Sequence, residues 1–508
     1  MTLRDLLQGV TAEPVAALPI AGITCHSKQV RSGDLFVALE GTAADGHAFI
    51  EEAISRGAAA IVAQRPPATY RNGTSSSTLR MASATAQPTR ACPIVVVRDT
   101  REALIMIARR FYGHPSRKLR LIGVTGTNGK TTTTYLLKSI LEASGFRAGL
   151  LGTIMYQIGG RMVPSTNTTP GPLELQRYFA QMVGQGLEWC AMEVSSHALA
   201  QGRVDGLEFE AAIFTNLGSD HLDYHKTQDA YATAKRRLFD HLRADGHAVI
   251  NTDDEYGRVL VETMPARSVV TYGIEHAAKA SVKYVACSWQ DTSFTLDTPW
   301  GVVPIRTALL GRHNVWNVAA AATTLLALGV SATAIREGLA MLHQVPGRLE
   351  PVPNDAGLHI LIDYAHTADA MRLALLSLRE LTRGRLIVVF GCGGNRDQSK
   401  RPVMGKMASL LADHVIVTSD NPRNEDPGDI ARHIKAGFPP GCDQFDIVLD
   451  REQAITTALS RAQRDDTVLI AGKGHEAYQT FEHVALPFSD REVVERWVGA
   501  RQSLALSS

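Results

Sequence analysis

The sequence predicts an α/β protein of three domains, and three observations carry that expectation. At 508 residues the chain holds about three domains of the usual ~150 residues each. Apolar runs of strand length, rich in Val and Ile, alternate with helix-forming stretches over most of the chain, the pattern of parallel sheets covered by helices. Polar clusters follow several of these runs directly, at what would be the carboxyl ends of the strands, where open parallel sheets bind ligands. The expected boundaries are 1–118, 119–345 and 346–508.

Composition narrows the function classes. Hydrophobic residues make up 45% and charged residues 20% of the chain, ordinary for globular domains. The formal net charge of +1 gives no electrostatic case for nucleic acid or an anionic membrane. Cys25, Cys92, Cys190, Cys287, Cys392 and Cys442 are scattered and form no CxxC, so neither a zinc site nor a disulfide framework is expected, which suits a reducing cytoplasm. The start, MTLRDLLQGVTAEPV, lacks an apolar signal core, and the apolar run near Ala319 to Val330 is too short to span a bilayer.

In the first domain GDLFVAL (Gly33 to Leu39) and AAAIVAQ (Ala58 to Gln64) read as strands, with a helix from Phe49 to Arg56 between them. Arg71 to Thr89 is rich in Ser, Thr and Ala and reads as a solvated insertion. A strand at PIVVV, a helix through Phe111 and a linker at His114-Pro115 follow.

The middle domain is organised around Leu121 to Thr134, LIGVTGTNGKTTTT. A buried strand, a turn through Gly126, Thr127, Asn128 and Gly129, and a helix opening at Lys130, Thr131 and Thr132 make a phosphate cradle. Its glycines let backbone N–H groups crowd an anion, and the helix dipole adds a favourable field. Lys130 is placed for the outer phosphates and the Thr131 hydroxyl for Mg²⁺, although Val124 stands where the usual motif has its outermost glycine. Strands are further expected at Glu188–Val194, Ala211–Thr215, Ala248–Asn251 and Val269–Tyr272. EVSSH ends one of them and TNLGSDHLDYH another. Glu193 and His221, each following a buried strand beside the cradle, are therefore candidate metal ligands, with Asp220 and Asp223 close by. Lys235, in the amphipathic stretch YATAKRRLFD, reads from composition alone as a solvated lysine. Asn314 and Asn317, spaced i, i+3 at a helix start, either cap the helix or hold a base.

In the last domain HILIDYAHT, RLIVVFGCGGNRD, HVIVTSDNPR, DIVLDR and DTVLIAGKGHE are each an apolar strand followed by polar residues. Arg348, at the hinge PGRLE, either reaches phosphate or makes a surface ion pair. Asp420, Asn421, Pro422 and Arg423 form a turn whose groups suit a zwitterionic amino acid, or are simply a turn.

Taken in order, HSKQVRSGDLFVAL, GTAADGHAFI, TGTNGKTTT, NTTP, EVSSHAL, DHLDYH, AKRRLF, GRHNVWN, PGRLE, DYAHT, GCGGNRDQSKRP, TSDNPR and GKGHE resemble the Mur ligase family over essentially the whole chain. Within it the sequence most resembles the ligases that add meso-diaminopimelate to UDP-N-acetylmuramoyl-L-alanyl-D-glutamate. The resemblance implies an N-terminal UDP-binding domain, a central P-loop ATPase domain and a C-terminal Rossmann-like domain. It also implies a cytoplasmic monomer making peptidoglycan precursors.

The resemblance further implies roles for particular residues. Cys25, Ser27, Thr42, Ala43 and Ala44 would bind the uridine diphosphate end, and Asn167, Thr168, Thr169, Ser195, Gln201 and Arg203 the muramoyl-dipeptide. The segment Gly126 to Thr132 would hold ATP, with Asn314 and Asn317 at adenine, Arg348 at phosphate and Asp363 at ribose. Thr131, Glu193, His221 and Lys235 would serve two Mg²⁺ sites. Lys235 would do so as a carbamate formed with CO₂, which reverses the composition-only reading. Arg396, Asp420, Asn421, Pro422, Arg423, Gly472 and Glu476 would hold diaminopimelate. The sequence departs from the family pattern at Asn395 (often Asp), Ala368 (often Pro) and Lys226 (usually Gly). A lysine-adding ligase and a non-catalytic nucleotide-binding protein are the alternative readings; the DNPR turn argues against the first and the retained Lys130, Glu193, His221 and Lys235 against the second.

Overall fold

The computed structural model describes residues 1–41, 44–66, 92–265 and 268–507. Thr42, Ala43 and the insertion expected at 71–89 lie outside them. The chain forms two compact units: Met1–Arg120 with Pro170–Glu188 and Gln201–Glu208, and Leu121–Thr169 with Trp189–Ala200 and everything from Phe209 onward.

The first unit carries a sheet of β1 (Gly22–Thr24), β2 (Asp34–Val37), β3 (Ala60–Ala63) and β4 (Ile94–Val96), parallel and in sequence order. Side chains of β2 and β3 alternate between two cores. Leu35, Val37, Ala60 and Val62 pack with Leu104 and Ile107, while Phe36, Ile61 and Ala63 pack with Ile50 and Ala53. Burial on both faces is why these strands read as unbroken apolar runs. The helix Thr100–Phe111 starts where the Asp99 carboxylate accepts from the Arg101 and Glu102 N–H groups.

The second unit holds two sheets. The larger comprises β5 (Arg120–Thr125), β6 (Ala148–Leu151), β7 (Met155–Ile158), β8 (Arg161–Pro164), β9 (Trp189–Glu193), β10 (Phe209–Phe214), β11 (Leu242–Asn251), β12 (Val269–Gly273), β13 (Ala280–Cys287), β14 (Thr292–Thr298) and β15 (Gly301–Thr307). Their order is 15-14-13-12-11-10-5-9-6-7-8. The middle is parallel, as expected, but β13–β15 and β6–β8 extend it at both ends as antiparallel meanders that the sequence reading missed. β13, β14 and β15 each keep one face partly in water and β8 is largely exposed, whereas β6 and β7 are buried but only four residues long, so none stands out as the middle strands do. The rim strands carry Pro304 in β15 and Pro164 at the end of β8. The helices Lys130–Ala143 and Arg312–Ala327 bury Leu136, Leu137, Ile140 and Leu141, and Val315, Val318, Ala322 and Leu325, in one core with β5, β9 and β10.

The smaller sheet comprises β16 (Glu350–Pro351), β17 (His359–Asp363), β18 (Leu386–Phe390), β19 (His414–Val417), β20 (Phe445–Ile447) and β21 (Thr467–Ala471), in the order 16-17-21-18-19-20. All its pairings are parallel except β16 with β17. A hairpin of β22 (Tyr478–Phe481) and β23 (Val484–Pro487) follows. Among the described residues no helix is long and apolar enough to cross a membrane.

Candidate active site

The turn after β5 needs its glycines. Gly126 and Gly129 sit at φ +145° and +87°, and a Cβ on either would run into the Thr215 hydroxyl or the Asn317 amide oxygen. Residues just past β10 hold the turn. The Thr215 hydroxyl donates to the Asn128 carbonyl at 2.6 Å, and the Asn216 amide oxygen accepts from the Asn128 N–H at 3.0 Å. The Lys130 ammonium donates to the Gly126 and Thr127 carbonyls, both at 2.9 Å. Burial pushes its pKa down, against the pull of Glu193 and Asp220.

Glu193, the last residue of β9, is 1% exposed. Its Oε1 accepts from the Thr131 hydroxyl at 3.0 Å and the Thr153 N–H at 2.7 Å, and its Oε2 from the Thr153 hydroxyl at 3.0 Å. The Thr131 oxygen in turn accepts from Arg348 Nη2 at 2.9 Å. Arg348 is therefore not part of a surface ion pair: its guanidinium lies 4.8 Å from the Tyr364 ring, and its Nε is buried with no hydrogen-bond partner among the described residues. His221 adopts φ +57°, which sets its Nε2 3.4 Å from an Asp220 oxygen and its ring edge-on to His197 at 4.7 Å. Desolvation lowers the His221 pKa although 45% of its side chain is exposed, which favours the neutral imidazole with a lone pair to offer. Burial would raise the Asp220 pKa, but His366, His221 and Lys400 hold it below the usual carboxylate value.

Lys235 corrects the reading from composition. It is 1% exposed, on the buried stripe of the helix Gln228–Arg236 with Tyr231, Ala232 and Ala234, and its Nζ lies 4.2 Å from the Tyr231 ring centre. Burial, reinforced by Lys130, drives its pKa well down.

Most of these groups, though not Lys235, line a cavity of about 460 Å³. Its walls include the segment Thr127–Thr132, Thr168, Glu193, Ser195, His221, Asn317, Arg348 and Asp363. Asn314 packs beneath this wall. Its Nδ2 donates to the Leu310 carbonyl at 2.7 Å and its Oδ1 accepts from Asn317 Nδ2 at 2.8 Å, while Gly311 takes the cap position, so neither asparagine caps the helix. Asp363 accepts from the Leu349 and Ala365 N–H groups at 2.7 and 2.8 Å, and burial raises its pKa. Asn167–Thr169 run alongside, with the Thr169 hydroxyl donating to the Glu193 carbonyl at 2.9 Å.

A second cluster lies past the ends of β19 and β21. Asp420 and Asn421 are 8% and 3% exposed. Arg423, at φ +52°, donates from Nη1 to the Gly394 carbonyl at 2.8 Å, and its backbone is tied to β22 through the Thr480 carbonyl at 3.0 Å. Glu476 accepts from Asn421 Nδ2 at 2.9 Å. A Cβ on Gly472 would approach Asp420, and the Arg396 side chain stands beside Gly393 near the Arg423 guanidinium. Tyr364 links this cluster to the cavity, lining the latter while its hydroxyl lies 3.5 Å from Glu476 Oε1.

In the first unit, the Ser27 hydroxyl donates to Glu52 at 2.6 Å, burial pushes the Cys25 thiol up to about 12, and Arg203 donates to Gln201 at 2.7 Å. Ala44 lies in the loop before Asp45, whose carboxylate accepts from the His47 N–H.

Three family models match the chain: the Mur ligase family, catalytic domain, over residues 19–112, the Mur ligase middle domain over 124–325, and the Mur ligase, glutamate ligase domain over 347–474. A curated relative from Geobacillus kaustophilus, named UDP-N-acetylmuramoyl-L-alanyl-D-glutamate--2,6-diaminopimelate ligase, is 43% identical over 99% of both chains. The chain belongs to the Mur ligase family. A solved structure of a ligase with that same name is 31% identical over 99% of both chains, with a TM-score of 0.67. The MurF ligase from Thermotoga maritima in complex with ADP, 21% identical with a TM-score of 0.63 over 96% of this chain and all of its own, shares the fold.

Several residues that shape the site of this Mur ligase escaped the sequence reading. Thr153 orients Glu193, Asn216 orients the turn after β5, and Tyr364 and Lys473 stand at the second cluster. Tyr364 and Lys473 lie inside the motifs DYAHT and GKGHE, so the motifs themselves were the available signal. Thr153 carries none. The departures from the family pattern also have a structural reading. Asn395 and Lys226 both sit at positive φ, +52° and +68°, and Ala368 is the first residue of the helix Ala368–Leu381.

Proposed function

We propose that this Mur ligase joins meso-diaminopimelate to UDP-N-acetylmuramoyl-L-alanyl-D-glutamate at the expense of ATP, through an acyl phosphate. The observation that carries the reading is Tyr364, whose ring meets Arg348 of the phosphate cavity and whose hydroxyl meets Glu476 of the amino-acid cluster. A phosphoryl site and an ammonium-binding carboxylate within reach of one side chain are what an ATP-driven amide synthesis needs.

The first domain, taken as 1–118, would hold the uridine diphosphate end through Cys25, Ser27 and the loop at Thr42, Ala43 and Ala44, with Gln201 and Arg203 on the peptide. The domain taken as 119–345 would hold ATP, and that taken as 346–508 the amino acid. The substrate carboxylate is a poor electrophile, so it first takes the γ-phosphoryl group. That step brings two anions together. The N–H groups from Gly126 to Thr132, the Lys130 ammonium and Arg348 offset the repulsion. The donor set of the Thr131 hydroxyl, the Glu193 carboxylate and the neutral His221 imidazole fits Mg²⁺, which supplies further charge neutralisation when bound. Lys235 joins this set as the carbamate: its uncharged amine is the form that adds CO₂, losing a proton as the N–C bond forms.

The diaminopimelate amine then attacks the acyl phosphate and phosphate leaves. Glu476 and Asp420 would hold ammonium, and Arg423 and Arg396 carboxylate. Diaminopimelate carries a second carboxylate that lysine lacks, and Arg423 is suited to take it bidentately. The reaction uses soluble cytoplasmic precursors and needs one chain.

Phosphate release with Mg²⁺-ATP and the UDP-linked dipeptide, assayed with meso-diaminopimelate, with L-lysine and with neither, tests the reading. Release only with diaminopimelate is expected. Release with lysine alone discards the Arg423 argument, and no release under any condition overturns the ligase.

A further inference from the structure

Lys473 is a buried lysine to which the proposed mechanism gives no task. It follows β21, in a turn where the flanking Gly472 and Gly474 both take positive φ, +109° and +52°. Its side chain is 0% exposed. Burying an ammonium is costly unless it is paired and hydrogen-bonded, so its partners define what it does. Nζ donates to Glu476 Oε2 at 2.9 Å and to Asn421 Oδ1 at 3.3 Å, and lies 5.4 Å from the Tyr478 ring centre.

Those contacts fix two groups of the amino-acid cluster at once. Asn421 Oδ1 takes Lys473 and the Thr480 N–H at 2.9 Å, which commits Nδ2 to Glu476 Oε2. Oε2 therefore accepts both Lys473 and Asn421, whereas among the described residues Oε1 meets only the Tyr364 hydroxyl, at 3.5 Å. One oxygen of Glu476 is anchored and the other is left for an incoming ammonium.

We infer that Lys473 is a positioning residue for the amino-acid substrate, holding the Asn421 amide in one orientation and the Glu476 carboxylate with Oε1 presented to the substrate ammonium. This rests on the diaminopimelate reading above. Without Lys473 the carboxylate loses its anchor and its countercharge. Truncating one partner of a buried, hydrogen-bonded charge pair is costly, so Lys473→Met raises the KM for diaminopimelate by about tenfold or more. The KM values for ATP and the UDP-linked dipeptide stay within about twofold, because their residues are not among the partners of Lys473.

The test measures the three KM values and kcat for wild type, Lys473→Met, Lys473→Arg, Glu476→Gln and the Lys473→Met/Glu476→Gln double variant. The expected result is a selective rise in the diaminopimelate KM, partial rescue by Arg, and a double variant no worse than Glu476→Gln alone. Equal changes in all three KM values, or fully additive effects, would mean that Lys473 only supports the fold and would overturn the inference. If Lys473→Met does not fold, Lys473→Arg decides alone: a change confined to the diaminopimelate KM supports the inference, and a uniform change or none overturns it. Wild-type enzyme that cannot use diaminopimelate overturns the functional reading and the inference together, whereas active wild type with an unaffected Lys473→Met overturns the inference only.

Discussion

Lys226→Gly should stabilise the protein. Lys226 sits at φ +68°, ψ −41°, in a three-residue turn closed by the Thr227 N–H on the His225 carbonyl at 2.8 Å. A side chain in this region costs about 1–2 kcal/mol that glycine does not incur. Against this, the substitution loses the bond from Lys226 Nζ to the Asp223 carbonyl at 2.5 Å, an exposed interaction contributing about 0.5–1 kcal/mol. The balance is about 1 kcal/mol in favour of glycine, or roughly 2–4 °C in the melting of a domain of this size. Lys226→Ala separates the terms, because it removes the same hydrogen bond but keeps the Cβ. Calorimetry should rank the three proteins Gly, then wild type, then Ala. A glycine variant melting at or below the alanine variant would refute the strain argument. The turn also leads directly into the helix that carries Lys235, capped by the Thr227 side chain, so the same calorimetry reports on the support of that buried amine.

Three further outcomes are expected. Arg423→Ala raises the diaminopimelate KM by about thirtyfold, the low end for truncating a hydrogen-bonded charged partner because Arg423 is half-buried, while leaving the ATP KM unchanged; matched changes in all substrates would contradict the assignment. Ala368→Pro stabilises by about 0.5–1 kcal/mol, since Ala368 is the first helical residue and Thr367 before it is extended at φ −122°, ψ 158°; a lower urea midpoint would refute this. Burial, then Arg348, holds the His313 pKa at about 4, below its unfolded value of about 6.5. The unfolded chain therefore binds this proton first, and the associated stability, full above pH 6.5, is lost as pH falls toward 4. His313→Gln should lose less urea stability than wild type between pH 7 and pH 5; equal losses would show that His313 does not titrate this way.

What could be read in advance follows from how local each feature is. The cradle after β5 was legible because Gly126 and Gly129 are demanded by the backbone itself, and the parallel strands because both of their faces are dry. The outer meanders were not, because β13–β15 keep one face partly in water while β6 and β7 are buried but only four residues long. Glu193 could be picked out as a strand-end carboxylate, but the clamp from Thr153 across 40 residues could not. Lys235 was legible only by resemblance. Its burial depends on the roof supplied by Tyr231 and on neighbours folded over it, and lysine in an amphipathic stretch usually faces water. The two asparagines did share a helix face, as their spacing required, but they bond to one another, and only Asn317 reaches the cavity.

The rims of the eleven-stranded sheet have a consequence for how the protein behaves in a crowded solution. A wide open sheet offers a row of unpaired N–H and C=O groups at each border, to which any extended chain can add. Pro304 withholds a donor in the middle of β15, where Val302, Val303 and Ile305 would otherwise form an adhesive run, and Pro164 closes β8 on the opposite side. Each border strand thus carries an imide nitrogen that has no proton to donate to an added strand. The sheet is thereby broad enough to carry the glycine turn after β5 near its centre while its two edge strands are each interrupted as templates.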